Sequence, residues 1–192
     1  MPRPAERDLL VPARGHRTRE TAFCAAQLAD LSARLRHDTR GLTVRELEWQ
    51  PAPGMNSIGM LLAHLAIVEV WWIEGAVRMV PPADVDFTGK LGIGRDDDGM
   101  PAGPRGRHPR ALLGKRLSDY DRLLGRGRRN LLAAIRPLTA RDLERTRRRI
   151  RRDGKVHEYN VHWVLYHLVE HFAGHYGQIL MLRHAYRELR RR

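Results

Sequence analysis

The chain has 192 residues, a mass of 22.1 kDa and a formal net charge of +13. Its 42% hydrophobic and 30% charged residues are typical of a soluble globular protein, and a single cysteine, Cys24, excludes a disulfide framework and a cysteine zinc cluster. Neither a signal-peptide pattern nor a run of about 18 apolar residues is found, so we expect a cytoplasmic protein that does not span a membrane.

The chain begins with a segment that predicts no regular structure. Residues 1–16 are rich in proline and arginine and show no hydrophobic periodicity, so we expect a flexible arm followed by a single domain over 17–192. Apolar residues then recur every three to four positions, at Phe23, Leu28, Leu31 and Leu35. This spacing predicts a first amphipathic helix that begins near Arg17 and ends at Gly41.

The next segment predicts a short helical turn and then a second long helix. Thr43 is followed three residues later by Glu46, which is the pattern of a capping box. After a proline-rich break, Asn56 or Ser57 is expected to cap a helix over 57–79. The apolar stripe of this helix contains Ile58, Leu61, Leu62, Leu65, Val68 and Trp72.

A long connection and a third helix follow. Residues 81–108 are rich in glycine and proline, which predicts a crossover loop that is either a functional lid or disordered. Three consecutive aspartates at 96–98 lack the spacing of a calcium loop, and we interpret them as a solvated turn. Leucines at helical spacing predict a third helix over 109–136, which Pro137 ends.

A short repeat relates the two halves of the chain. Residues 138–144 are identical at five of seven positions to residues 42–48, and each copy lies between two long helical segments. A second similarity relates Leu-Ala-His-Leu around His64 to Leu-Tyr-His-Leu around His167. We therefore expect an all-α protein, a four-helix bundle of two helical hairpins joined by the long crossover loop.

An arginine-rich stretch at 145–157 precedes a fourth helix predicted over 159–189. Only three of the 35 basic residues of the chain are lysines, which leaves 32 arginines. We interpret most of this charge as the solvated surface that a GC-rich coding sequence produces. Binding of nucleic acid through residues 145–152 is the alternative interpretation.

Histidines are concentrated in the region of the fourth helix, where six of the ten lie between residues 157 and 184. His167, His171 and His175 are spaced four apart, so adjacent pairs share a helix face with Cβ atoms about 5–6 Å apart. Pairs of this kind bind metal ions in other helical His-x-x-x-His sites. Phe172 stands where a zinc metalloprotease has its catalytic glutamate, which disfavours proteolysis.

His64 is the histidine that stands apart, since it lies in the apolar stripe of the second helix. An imidazole there needs a polar partner, and a hydrogen-bonded core histidine is the structural interpretation. A bundle that packs the second helix against the fourth would bring His64 to His171 and His175. Three imidazoles leave at least one metal position open, which is the pattern of catalytic rather than structural sites.

Two segments resemble the DinB/YfiT-like superfamily of four-helix metalloproteins. They are residues 56–66 around His64 and residues 164–179, where His-x-x-x-His is followed by Tyr-Gly-Gln; the link at 47–54 is also similar. The resemblance implies a four-helix bundle with His64, His171 and His175 as metal ligands. It also implies neighbouring roles for three further side chains, those of His167, Gln178 and Trp72.

Activities of that superfamily include transfers of low-molecular-weight thiols such as mycothiol or bacillithiol, a thiol-dependent isomerisation and suggested hydrolysis. The resemblance therefore implies one divalent transition metal (Zn, Ni or Fe) that activates a thiol cosubstrate or a water molecule. It also implies a small-molecule substrate and a homodimer, and it assigns no catalytic residue beyond the ligands.

Two other functions remain open at this stage. One is a non-enzymatic, stress-related protein that binds nucleic acid through its arginine-rich surface, which the absence of helix-turn-helix, zinc-finger and aromatic stacking motifs disfavours. The other is a dimerisation module whose histidines belong to the core.

Overall fold

The computed structural model describes residues 9–150 and 154–191. In chain order the helices are α1 (Arg19–Thr39), α2 (Val44–Glu48), α3 (Ile58–Trp72), α4 (Phe87–Leu91), α5 (Leu117–Ile135), α6 (Ala140–Glu144) and α7 (Val161–Arg191). Two strands, β1 (Thr146–Ile150) and β2 (Val156–Asn160), form an antiparallel hairpin. Helix accounts for 61% of the structure, which confirms the expected all-α class.

The four long helices pack as a ring in which α1 and α3 lie on one diagonal and α5 and α7 on the other. The contacts join α1 to α7, α7 to α3, α3 to α5 and α5 to α1. The sequence predicts α1 with α3 and α5 with α7 as adjacent hairpins, and the structure differs in this respect. The links that contain α2 and α6 are long enough to cross the end of the bundle, so consecutive helices are not forced to be neighbours.

The predicted repeat corresponds to two copies of one capped turn. Thr43 and Glu46 form a capping box at α2, and Thr139 and Asp142 form the equivalent box at α6. The leucine of each turn, Leu47 or Leu143, is fully buried. Each turn therefore anchors one connection of the bundle to the core through the same local sequence.

Helix α3 is the central core element. The hydroxyl of Ser57 caps it by accepting a hydrogen bond from the Met60 amide, and 12 of its 15 residues are buried. The segment Ile58–Val77 is 20 residues long with a mean hydropathy of 1.5, so by length and composition it could cross a membrane. Because 72% of an 18-residue stretch of this segment is buried by the rest of the chain, the segment is a core helix in this structure.

Close packing of α5 on α3 accounts for Gly127, although glycine generally destabilises the interior of a helix. A Cβ at Gly127 would lie 3.2 Å from the Ala66 carbonyl oxygen, so the two backbones approach closely only because no side chain stands there. An ion pair reinforces the same contact, since Arg128 Nη2 lies 2.6 Å from Glu69 Oε1. Arg128 also donates to the Leu28 carbonyl in α1 and thereby ties three helices together.

The crossover loop and the third helix differ from their predicted forms. Residues 110–112 form only a 3₁₀ turn, and α5 begins eight residues later than predicted because Gly114 turns the backbone at φ +72. The loop 81–108 contains α4 and is anchored through Gln50, whose Oε1 accepts from the His108 amide at 2.8 Å. The crossover loop is therefore an ordered segment that packs on the bundle.

The C-terminal end of α3 has an irregular backbone. Helix α3 continues as one π-helical segment, Ile73–Val77, and Met79 then adopts a left-handed conformation at φ 61. The Val80 amide donates to the Glu74 carbonyl at 2.9 Å and closes the turn. π-Helical segments and left-handed residues other than glycine are uncommon and concentrate at functional sites.

The hairpin was missed by sequence reasoning, and it packs at that irregular end. Arg147 Nε donates to the Ala76 carbonyl at 3.2 Å, and the Arg149 guanidinium carbon lies 4.8 Å from the centroid of the Trp72 ring. Residues 151–153 at its tip, and 1–8 of the predicted N-terminal arm, lie outside the described residues.

Candidate metal centre

Three histidine side chains converge between α3 and α7. His171 Nε2 lies 3.2 Å from His64 Nε2 and 3.1 Å from His175 Nε2, and one ring nitrogen of each lies within 4.8 Å of the others. Two imidazoles bound to one tetrahedral ion with metal–nitrogen bonds of about 2.0–2.1 Å have nitrogens roughly 3.3 Å apart. The geometry therefore fits a shared metal ion. Sequence spacing predicted the pair on α7, and the approach of His64 was expected for a bundle that packs the second helix against the fourth.

Helical geometry explains the arrangement. His171 and His175 are one turn apart on α7, with ring centroids 4.3 Å apart. His64 lies on the buried stripe of α3, and the contact between α3 and α7 brings its ring centroid to 5.0 Å from each of theirs. All three side chains are partly exposed, which leaves an approach for a further ligand.

Asp98 of the crossover loop fixes the orientation of His64. Its carboxylate oxygen Oδ2 lies 2.8 Å from His64 Nδ1, and Oδ1 accepts from the Met100 amide at 3.0 Å. Because a carboxylate only accepts, His64 Nδ1 carries the proton and Nε2 directs its lone pair at the other histidines.

This role corrects the interpretation of the three aspartates as a solvated turn. Asp96 is exposed and Asp97 accepts from the Gly94 amide, as in a turn, but Asp98 is only 2% exposed. Sequence reasoning missed it because the two partners are 34 residues apart and the local run is equally typical of a surface loop.

Gln178 gives His175 the equivalent orientation. Its side-chain oxygen lies 2.9 Å from His175 Nδ1, so this nitrogen donates and Nε2 faces the cluster. Gln178 was expected near the metal, and it lies beside His175 on the side away from the other histidines. Gln178 thus orients the ring of His175, a candidate ligand, by accepting its hydrogen bond.

The lowered pKa values of His171 and His175 suit metal binding. Burial, followed by the neighbouring imidazoles of His175 and His64, lowers the pKa of His171 to about 3. Burial also lowers the pKa of His175, and the hydrogen bond that its ring donates to Gln178 partly opposes this shift. A neutral imidazole offers its lone pair to a metal ion, whereas a protonated ring does not.

His167 and Trp72, the other expected neighbours, lie one step further out. The His167 ring stacks on Trp163 with centroids 4.8 Å apart, and its Nδ1 lies 2.9 Å from Glu170 Oε1. Its centroid is 5.5 Å from that of His171, whereas Trp72 contacts His167 at 5.1 Å. These rings form an aromatic cluster that contacts His171 through His167, and they do not belong to the three-histidine cluster.

A cavity of about 290 Å³ opens beside His64. Residues of α3 and of the crossover loop line it, with Asp98 and Met100 from the loop and Trp71 from α3. The Arg95 guanidinium carbon lies 4.3 Å from the centroid of the Trp71 ring. The loop thus forms one side of the space in which a small molecule can reach the histidines.

The described part of the arginine-rich stretch, residues 145–150, has two exposed arginines, Arg145 and Arg148. Arg147 and Arg149 turn partly inwards onto Ala76 and Trp72, and residues 151 and 152 lie outside the described residues. Binding of nucleic acid through this stretch stays an alternative prediction.

Cys24 is too deeply buried to act as the nucleophile. It is 4% exposed, its Sγ contacts the Leu165 carbonyl at 3.8 Å, and burial raises its pKa to about 12. Because the thiolate is the reactive form, we expect no labelling by a thiol reagent such as DTNB in the native protein and one thiol per chain in denaturant. Prompt labelling of the native protein would contradict this placement.

Comparison with known proteins gives one family. The model of the family described as MST, mycothiol-S-transferase, matches residues 24–188. This range contains the three histidines and nearly all of the four long helices. None of the curated proteins matches the chain.

Proposed function

Because the chain belongs to the mycothiol-S-transferase family, we propose that it is a metal-dependent enzyme that joins the sulfur of mycothiol to a small electrophilic substrate. The observation that carries this proposal is the convergence of His64, His171 and His175, with a cavity that opens beside His64. The fold and family support a metal-binding protein of the thiol-S-transferase type; the substrates and the reaction are our proposal.

We propose that the three Nε2 atoms hold one divalent ion, which is zinc, nickel or iron. Imidazole suits all three metals. When bound, such an ion with an open position lowers the pKa of a thiol and supplies thiolate at neutral pH.

The chain's own residues hold the donors in place. Asp98 and Gln178 keep the proton of His64 and of His175 on Nδ1, so both Nε2 atoms stay available. Trp71 and Met100 give the cavity apolar sides, which reduces the access of competing water. In the reaction the thiol gives its proton to solvent, its sulfur forms a bond to carbon, and the group displaced from that carbon leaves with the bonding electron pair.

A thiol-specific thermal shift tests this function. Mycothiol at about 100 times its dissociation constant should raise the melting temperature of the metal-loaded protein by roughly 5–10 °C. S-methyl mycothiol has the same sugar portion but no ionisable sulfur, so it should give a much smaller shift. Equal shifts for the two compounds would contradict binding through the sulfur.

Three expectations from the sequence stay predictions. They are a homodimer, a cytoplasmic location and a single domain over 17–192. Light scattering of the purified protein measures the first of them directly.

A further inference from the structure

We propose that a second cavity, next to the metal centre, binds the carboxylate of a compact aromatic substrate. This arginine cavity has a volume of about 230 Å³ and is lined by residues 147–149 of β1, by the aromatic residues Trp71, Trp72 and Tyr159, and by residues 75, 76 and 79–82 after α3. It deepens the proposed function, on which it rests, because it assigns a chemical class to the electrophilic substrate.

The charge of the cavity selects an anion. Three consecutive arginines line it, and none of its described lining residues is acidic. Among the described residues of the hairpin the one carboxylate is that of Glu158, which stands opposite Arg148 in the strand register. A guanidinium carries five N–H donors, so the Arg147 bonds to the Ala76 and Thr146 carbonyls hold the group in place and leave donors for a carboxylate.

The rings give the cavity an apolar, aromatic side. Trp72 and Tyr159 meet edge to face with centroids 5.4 Å apart, and Trp71 stands one residue before Trp72 on α3. Flat aromatic surfaces favour a planar ligand through offset or edge contacts. The volume is smaller than the roughly 300–1,000 Å³ of drug-sized pockets, which favours a ligand with one or two rings.

The backbone around the cavity is the irregular end of α3. Gly75 and Ala76 belong to the π-helical segment, and Met79 is the left-handed residue at φ 61. This distortion ends the helix beside β1 and places the Ala76 carbonyl against Arg147. The irregular backbone is thus an independent feature that marks the same place as the arginines.

The position of the cavity matches that of a second substrate. Trp71 lines both this cavity and the cavity beside His64. The seven residues from His64 to Trp71 correspond to about 10 Å along the helix. A ligand held at the arginines and extending past Trp71 would therefore direct its other end towards the three histidines.

The test is the affinity for a matched acid and amide, measured by calorimetry on the chelator-treated full chain. Naphthalene-2-carboxylate should bind roughly tenfold more tightly than naphthalene-2-carboxamide, since only the acid forms a charge-assisted pair with arginine. Arg147→Gln and Arg149→Gln should each remove most of that difference. Arg141→Gln, on the exposed face of α6 and outside this cavity, removes the same charge and should leave it unchanged.

Equal affinity for acid and amide in the unchanged protein would overturn the proposal, and so would an equal loss with Arg141→Gln. The comparison of the two ligands needs no variant, so it decides even if a glutamine variant fails to fold. The measurement involves neither metal nor thiol. A negative result would therefore leave the proposed thiol chemistry standing, whereas failure of the mycothiol shift would leave acid binding intact.

Discussion

Replacing His171 with alanine should abolish stoichiometric metal binding. His171 is the middle member of the cluster, because its Nε2 lies within 3.2 Å of both His64 Nε2 and His175 Nε2. Its loss leaves two imidazoles that no third donor connects. We expect the metal affinity to fall by at least about 100-fold. Losing a group that only orients a ligand already costs up to about that much, and His171 would be a ligand itself.

Elemental analysis and competition with a chelator measure this effect. His184→Ala is the matched control, because His184 is an exposed histidine on the same helix and outside the cluster. The control should keep one metal per chain and full thiol-dependent activity. Unchanged metal content in His171→Ala would contradict the assignment of the site.

Removing the Asp98 carboxylate should weaken metal binding by roughly 10- to 100-fold. Asp98→Ala leaves His64 Nδ1 without the acceptor that lies 2.8 Å away, so the ring is free to turn and to place its proton on Nε2. Asp98→Asn keeps an oxygen acceptor but no charge, and we expect an intermediate loss. Competition with a chromogenic chelator gives the three affinities.

Asp96→Ala is the control for the second prediction. Asp96 lies in the same loop and is exposed, so its loss should leave the metal affinity within about twofold, which is under 0.5 kcal/mol. Melting temperatures of all variants separate loss of metal affinity from loss of the loop fold. Similar affinities for Asp98→Ala and Asp96→Ala would show that the carboxylate does not position His64.

Periodic features were predictable from the sequence. The spacing of His171 and His175 and the apolar stripe around His64 predict the helices and the face on which each histidine lies, because helical periodicity converts sequence spacing into a shared face. The capping boxes at Thr43 and Thr139 are equally local. These features depend on residues within one or two turns of each other.

The remaining features depend on contacts between distant segments. Asp98 acquires its role only because the crossover loop folds over α3. The strand that contains Arg147 has no alternation of apolar residues to indicate it, and it is held by the Ala76 carbonyl 71 residues away. The diagonal placement of α1 with α3 and of α5 with α7 likewise depends on packing between distant segments, which helical periodicity does not predict.

The extreme apolarity of α3 affects how the chain is made in the cell. Its main neighbours, α5 and α7, both follow it in the sequence. During translation α3 is therefore synthesised before the two helices that bury it. At roughly 5–20 residues per second, synthesis of the intervening ~90 residues takes roughly 5–20 s. During that interval the helices that cover the most hydrophobic segment are not complete, so we expect chaperones and a lower growth temperature to raise the yield of soluble protein.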